Sequence, residues 1–295
     1  DGLSIVGYLW ITGEKGSGKS TGLQLFTELG YLGIFILPSS TFATMRDLAS
    51  YGAVLGIDDA ENITKPNPNN QDKHNLYLAG NRRGAFITLK EPQPDKSWAT
   101  KFVPAFCPKI FSAISMPDSV LSSRCIVIPM VKSADLLKAN ADVSDYETWN
   151  HDRQEIIDDM YAVSLKNISR IAQLYRLVGQ ESQILGRELQ PFRGVLTVAY
   201  LLEENGVSGI RERMKTFLEE YQTKRIDFEV DDRIYVIVRA LFLSYQNAIS
   251  ATKASHAITD TTPMKLTVES VSYFAKSIAK SDNMEVAFLD LSNPS

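Results

Sequence analysis

The sequence predicts an α/β fold with a mostly parallel sheet. Five short apolar runs punctuate the chain as far as Met130, with polar-faced or turn-rich stretches between them. Continuous apolar runs of this length are typical of strands buried on both faces, and intervening helices make such a sheet parallel. Beyond about Lys132 the runs stop and apolar residues recur at helical spacing, which predicts a separate all-helical region.

Ser4 to Ile11 is rich in β-formers and opens the sheet. A glycine-rich turn follows, then a helix from Ser20 to Leu29. Gly33 to Leu37, stopped by Pro38, is the second strand, and Tyr51 to Ile57 the third. Asn62 to Lys73 is Asn- and Pro-rich without a period, and reads as a surface loop. Ala85–Lys90 and Thr100–Phe106 flank a tip containing Pro92, Pro94 and Asp95, which predicts an inserted β-hairpin. Lys109 to Ser115 and Cys125 to Met130 complete the sheet. Ile156, Ile157, Met160, Val163, Leu165, Ile168, Ile171 and Leu174 mark the helical region from Ala134 to Glu220. Asp231 to Ser250 and Leu266 to Ala279 read as two more helices, the latter near the cap candidate Thr267. The expected division is therefore 1–132 core, 133–226 helical lid and 227–295 a small helical or winged-helix unit.

Composition narrows the function class. Of 295 residues 44% are apolar and 22% charged, ordinary for a globular chain. No stretch of eighteen apolar residues is free of charge, which excludes a membrane-spanning helix in the sequence. Cys107, Cys125, His74, His151 and His256 do not have the spacing of a zinc site, and two cysteines make no disulfide framework, so the cytoplasm is expected. The net charge of −4, from 31 basic and 35 acidic residues, requires that any nucleic-acid affinity come from a local groove. Starting at Asp1 without methionine or signal peptide, the sequence reads as a fragment of a longer protein.

Gly13-Glu14-Lys15-Gly16-Ser17-Gly18-Lys19-Ser20 fits G-x-x-x-x-G-K-[ST] between a predicted strand and a predicted helix. Glycines let the backbone wrap so that its N–H groups face phosphate oxygens, and the helix N-terminus adds its dipole. Lys19 would reach the β- and γ-phosphates, Ser20 would ligate magnesium, and Thr21 would lie near the α-phosphate. These residues predict binding of ATP with Mg2+. Lys15 is more simply an exposed loop residue.

Ala53–Ile57 delivers Asp58, Asp59 and Glu61 at a strand C-terminus, where ligands of open α/β sheets bind. Asp58 is placed to hold the metal through water. Asp59 or Glu61 would orient and deprotonate an attacking water, Glu having the longer reach. Acidic residues in the first turn of a helix are the competing reading.

With both motifs in place, the first 220 residues resemble the AAA+ branch of P-loop ATPases. They are similar to the helicase-like ATPase domain of archaeal and bacterial mobile elements, often fused to primases. The resemblance rests on Leu78-Ala-Gly-Asn-Arg-Arg-Gly84, Pro108-Lys-Ile-Phe-Ser-Ala-Ile-Ser115, Pro117-Asp-Ser-Val-Leu-Ser-Ser-Arg-Cys-Ile-Val-Ile-Pro129 and Gly186-Arg-Glu-Leu-Gln-Pro-Phe-Arg193. It implies a three-layer P-loop NTPase core with a helical lid. Ser115 falls at the position of a polar γ-phosphate sensor. Arg124 falls at the position of an arginine finger acting on a neighbouring subunit, with a local ion pair as its competing reading. Arg187 and Arg193 compete for a second arginine sensor on the lid. Arg82 and Arg83 form a basic pair at an interface, a nucleic-acid contact or a solvated helix end. A finger that works on a neighbour implies a head-to-tail homo-oligomer, here a hexameric ring.

Several AAA+ helicases carry a hairpin before the sensor strand. Here Lys96, Trp98 and Lys101, with Lys90, offer cations and an aromatic platform for a nucleic-acid strand, or else an ordinary exposed hairpin. The expected function is an ATP-hydrolysing helicase or DNA-remodelling motor, acting on single-stranded or forked DNA with a primase domain or partner. Two rivals stand beside it: a phosphotransferase acting on a small acceptor, and a slow-hydrolysing assembly or loader switch.

Overall fold

Five strands form one sheet in the order β2-β3-β6-β1-β7, every neighbouring pair parallel. They are β1 (Tyr8–Gly13), β2 (Ile34–Ile36), β3 (Leu55–Ile57), β6 (Lys109–Ala113) and β7 (Cys125–Met130). The antiparallel hairpin β4 (Phe86–Pro92) and β5 (Trp98–Pro104) is inserted between β3 and β6. The structure is a computed structural model that describes residues 2–37, 39–62, 71–140, 142–184, 186–222, 237–238, 240–245 and 267–281.

Alternation along β1 sends side chains to both faces. Tyr8 and Trp10 join Met45, Leu55, Ile57, Leu76, Tyr77, Phe111 and Leu121 in the larger core. That face is covered by α2 (Phe42–Ser50), α3 (Gln71–Ala79) and α4 (Ser119–Ser122). Ile11 and Ile110 point the other way, onto Leu23 of α1 (Lys19–Glu28). Caps set the helix starts: Thr41 Oγ1 accepts from Thr44 N, and Asp118 accepts from Val120 N and Leu121 N. Gly56 has no room for a side chain, since a Cβ there would meet Thr27 Oγ1 at 2.1 Å. This close approach seats α1 on β3.

Sequence and structure differ in places. β1 starts four residues later than expected, because its neighbour β7 comes alongside only from Tyr8 onward. The first four residues of the third run are the cap and turn that follow α2, leaving a three-residue strand. Gln71–Lys73, read as loop, begin α3; residues 63–70 of that expected loop lie outside the described residues. After β7 come α5 (Leu136–Ala139), α6 (Arg153–Lys166), α7 (Ile168–Glu181), α8 (Gly186–Leu189) and α9 (Arg193–Glu204).

The chain divides into two compact units, Asp1–Glu212 and Arg213–Ser295. Within the first unit, the helices after β7 pack on the strands' own segment. Pro191 lies against Gly7, Leu3 against Gly194, and Ser4 Oγ donates to Tyr175 Oη at 3.3 Å. In the second unit, Val268–Ser281 is helical and buries Val271, Ala275 and Ile278 with Ala240. Most of the expected helix Asp231–Ser250 lies outside the described residues, and the winged-helix expectation cannot be read from those that remain. Among the described residues no helix is long and apolar enough to cross a membrane.

Candidate functional site

The site lies at the C-terminal end of β1. The connection leaving β1 crosses to the β2 edge, while that leaving the adjacent β6 crosses to the β7 edge. Such a switch point opens a crevice beyond the strand ends. The glycine loop Gly13–Gly18 turns here, with Gly16 at φ 81° and Gly18 at φ 86°, backbone that glycine adopts without strain. At Gly13 a Cβ would meet the Met130 carbonyl at 2.2 Å, so the loop hugs the end of β7. Lys19 opens α1 and its Nζ donates to the Glu14 carbonyl at 2.9 Å, which lays the ammonium back over the loop. Ser17 is buried and its Oγ has no hydrogen-bond partner. An orphaned donor inside a glycine cradle calls for an acceptor. Glu14 and Lys132 form an exposed ion pair across the loop, and Lys15 is exposed.

Three strands deliver the other groups. Asp58 follows β3, and its Oδ1 accepts from Ser20 Oγ at 3.2 Å and from Ser112 Oγ of β6. Residues 38 apart in sequence are thereby joined in the pattern expected of a metal-binding pair. Ser112 was not foreseen. The parallel register Ile57↔Phe111 puts the next residues, Asp58 and Ser112, side by side, which only the strand pairing reveals. Asp59 is exposed and takes φ 49°, an unusual conformation for a non-glycine residue at a strand end. Glu61 Oε1 accepts from Ile114 N at 2.6 Å, and Thr12 Oγ1 donates to the Ile114 carbonyl at 3.0 Å. Trp10 Nε1 donates to the Ser115 carbonyl at 3.0 Å. Two β1 side chains thus hold the segment after β6, with Ser115 exposed at its turn.

The hydroxyl and carboxylate at Ser20 and Asp58 are hard oxygen donors. They fit a magnesium ion that keeps its waters and brings phosphate ligands with it, since Mg2+ takes one or two carboxylates in such sites. Among the described residues no group of three His, Cys, Asp or Glu gathers to cage a metal alone.

The remaining expected residues lie elsewhere. Arg124 precedes β7, and its carbonyl accepts from Tyr8 N at the N-terminal end of the sheet. β1 spans six residues, which puts this end about 20 Å from the glycine loop. Its guanidinium is tied to carbonyls rather than to an acid: Nε donates to Leu78 O at 3.1 Å and Nη1 to Val120 O. The competing reading of a local ion pair is thereby corrected to local carbonyl bonds. Arg193 Nε donates to the Tyr175 carbonyl at 2.8 Å and stacks over that ring at 4.0 Å, inside the α7–α9 packing. Arg187 sits close enough to Arg124 to affect its ionisation. Of the two residues that compete for the lid sensor, Arg193 is spent on Tyr175 and Arg187 is exposed on α8.

The hairpin register sorts its residues by face, because cross-strand partners share one. Trp98 pairs with Pro92, Thr100 with Lys90, Phe102 with Thr88, and Pro104 with Phe86. Trp98, Phe102 and Phe86 are all exposed on that face, and Lys90 Nζ donates to Thr100 Oγ1 at 3.0 Å. Lys101 lies on the other face in an ion pair with Glu91 at 3.2 Å. Lys96 is at the tip, exposed, with φ 65°. Phe86 and Phe102 were not singled out from the sequence, although their spacing along each arm carried the signal.

Compared with known protein families, the chain matches no family model, and no curated protein matches it.

Proposed function

We propose that the chain is a P-loop ATPase of the AAA+ type that hydrolyses ATP with Mg2+ and acts on nucleic acid. One observation carries the reading: the Ser20–Asp58 hydrogen bond beside a glycine loop that is itself capped by Lys19. A glycine-rich turn arising by chance has no reason to gather a hydroxyl and a carboxylate at its mouth. The loop N–H groups and Lys19 bind and orient the phosphates. Ser20 and Asp58 hold the metal, which supplies charge neutralisation at the phosphates when bound. Ser112 orients Asp58. Glu61 is favoured over Asp59 as the base, since its tether to Ile114 N holds the carboxylate beside Ser115.

Arg124 is read as acting on a second copy, because about 20 Å of β1 separates it from its own loop. A homo-oligomeric ring, a helicase or DNA-remodelling task, and a primase partner all follow from the family resemblance, and the aromatic hairpin face supports strand contact. The test is ATP turnover by Lys19→Ala. Turnover is expected to fall by about 10²-fold or more, as when electrostatic stabilisation is removed from a transition state. Retained turnover would refute the site.

A further inference from the structure

A second lysine, Lys132, reaches the glycine loop from the end of β7. Strand register puts it there: Met130, the last residue of β7, pairs with Gly13, the first residue of the loop. Met130 also packs on the loop, since a Cβ on Gly18 would stand 3.6 Å from its Cε. Two residues further on, Lys132 Cε lies 3.6 Å from the place that a Cβ on Gly16 would take. The ammonium, one bond beyond Cε, is therefore beside the middle of the loop. The segment that follows is anchored along α1. Gln24 Nε2 donates to Ser144 Oγ at 2.8 Å, and Tyr146 Oη donates to Glu28 Oε2 at 2.8 Å.

Glu14 meets both lysines of the site. Its carbonyl accepts from Lys19 Nζ at 2.9 Å, and its carboxylate faces Lys132 Nζ at 3.9 Å. The second distance is too long for a hydrogen bond. Both side chains are open to solvent, at 61% for Lys132 and 86% for Glu14. A loose, exposed ion pair of this kind contributes little and is given up readily. A polyphosphate held in the loop presents more negative charge than one carboxylate, and a lysine follows it as a flexible point charge with three donors. The buried Ser17 Oγ, without a hydrogen-bond partner, independently marks this loop as one that awaits an acceptor.

We propose that Lys132 is a second cationic ligand of the nucleotide phosphates, exchanging the Glu14 carboxylate for a phosphate oxygen when nucleotide binds. The inference rests on the ATPase reading above and adds to it a ligand that lies outside the loop motif. Lys19 enters from α1 and Lys132 from β7, so the phosphates are held from the two elements that flank the loop.

The test uses the full chain and its variants Lys132→Gln, Glu14→Gln and the two combined, with thermal melting to verify that each folds. Binding of N-methylanthraniloyl-ATP with Mg2+ is followed by fluorescence. Lys132→Gln should weaken binding about tenfold, as expected for loss of one charge-assisted hydrogen bond to phosphate. The same loss should persist in the Glu14→Gln background, where there is no carboxylate left to neutralise. If Lys132→Gln weakens binding only while Glu14 is present, the lysine merely shields that carboxylate and the proposal is overturned. It is overturned as well if the folded Lys132→Gln variant binds as the parent does. A parent that binds no nucleotide refutes the ATPase reading together with this inference, whereas a binding parent with an unaffected Lys132→Gln variant refutes this inference alone.

Discussion

Ser112 is the residue that most changes the picture of the site. It is buried in β6 and its hydroxyl meets the same Asp58 oxygen as Ser20. If it orients that carboxylate for the metal, Ser112→Ala raises the Mg2+ concentration giving half-maximal turnover by about tenfold, the lower end of losses for residues that orient metal ligands. A titration of turnover against Mg2+ checks this, and an unchanged midpoint with lowered stability would reduce Ser112 to a packing residue. Lys109 makes a different residue-scale prediction. Its ammonium is buried against the Tyr8 ring, and Nζ donates to Tyr8 Oη and to the Cys107 carbonyl, both at 3.2 Å. Burial lowers its pKa, with Cys107 opposing that shift. With the folded pKa below the unfolded value of 10.5, the unfolded state holds more protons between the two. Stability therefore rises with pH across that window. Tyr8 and Tyr77, pushed up by burial, act in the opposite sense only above pH 10. Urea midpoints measured from neutral pH to just below 10 should rise for the native chain and stay flatter for Lys109→Met. Identical slopes would mean that Lys109 stays charged throughout.

At the scale of elements, α1 matters most because it carries Lys19 and Ser20 at one end and is seated on β3 near the other. Its seat is tight. A Cβ on Gly56 would collide with Thr27 Oγ1, and one on Gly33 with the Thr27 carbonyl at 1.7 Å. Gly56→Ala should cost about 1–3 kcal/mol, the usual range for overpacking a core, as read by denaturant unfolding. Adding Thr27→Ala should recover part of that loss; a strictly additive double variant would show that the two positions do not interact. The hairpin is the second element with its own chemistry. Its exposed face aligns Trp98, Phe102 and Phe86, with the two Phe rings edge to face at 6.3 Å. Base stacking on an aromatic side chain contributes about 1–3 kcal/mol per base. Trp98→Ala and Phe102→Ala should each weaken single-strand binding by that amount, whereas Lys101→Ala on the ion-paired face should change little. Equal losses on both faces would argue against a one-sided contact.

Across the molecule, Arg124 and the glycine loop lie at opposite ends of β1. On the proposed reading, Arg124 would complete an ATP site only by reaching the glycine loop of a second copy, in a head-to-tail contact. Mixing Lys19→Ala with Arg124→Ala subunits should therefore restore a fraction of the turnover that each lacks alone. Failure to recover activity at any ratio would count against shared sites. The helices after β7 reinforce this geometry. They lie against residues 2–7, and Arg153 pairs with Glu28 at the far end of α1. Helices read from the sequence as a lid thus bear on the end of the sheet away from the glycine loop.

What could be read from residues in order was local. The glycine loop, the acidic strand end, the hairpin and the switch from strand runs to helical spacing all depend on neighbours within a dozen positions, and each reappears in the fold. The loop that became α3 and the short β3 were misread because a three-residue strand and a polar helix carry almost no periodic signal. Ser112, the aromatic face of the hairpin and the distance of Arg124 from the glycine loop were out of reach for another reason. Each depends on which strands lie side by side and in what register, and hydrophobic pattern is blind to that choice. The order β2-β3-β6-β1-β7 puts Asp58 against Ser112 and Arg124 at the other end of β1. Sequence spacing specified the parts of the site, and long-range strand pairing determined which of them meet.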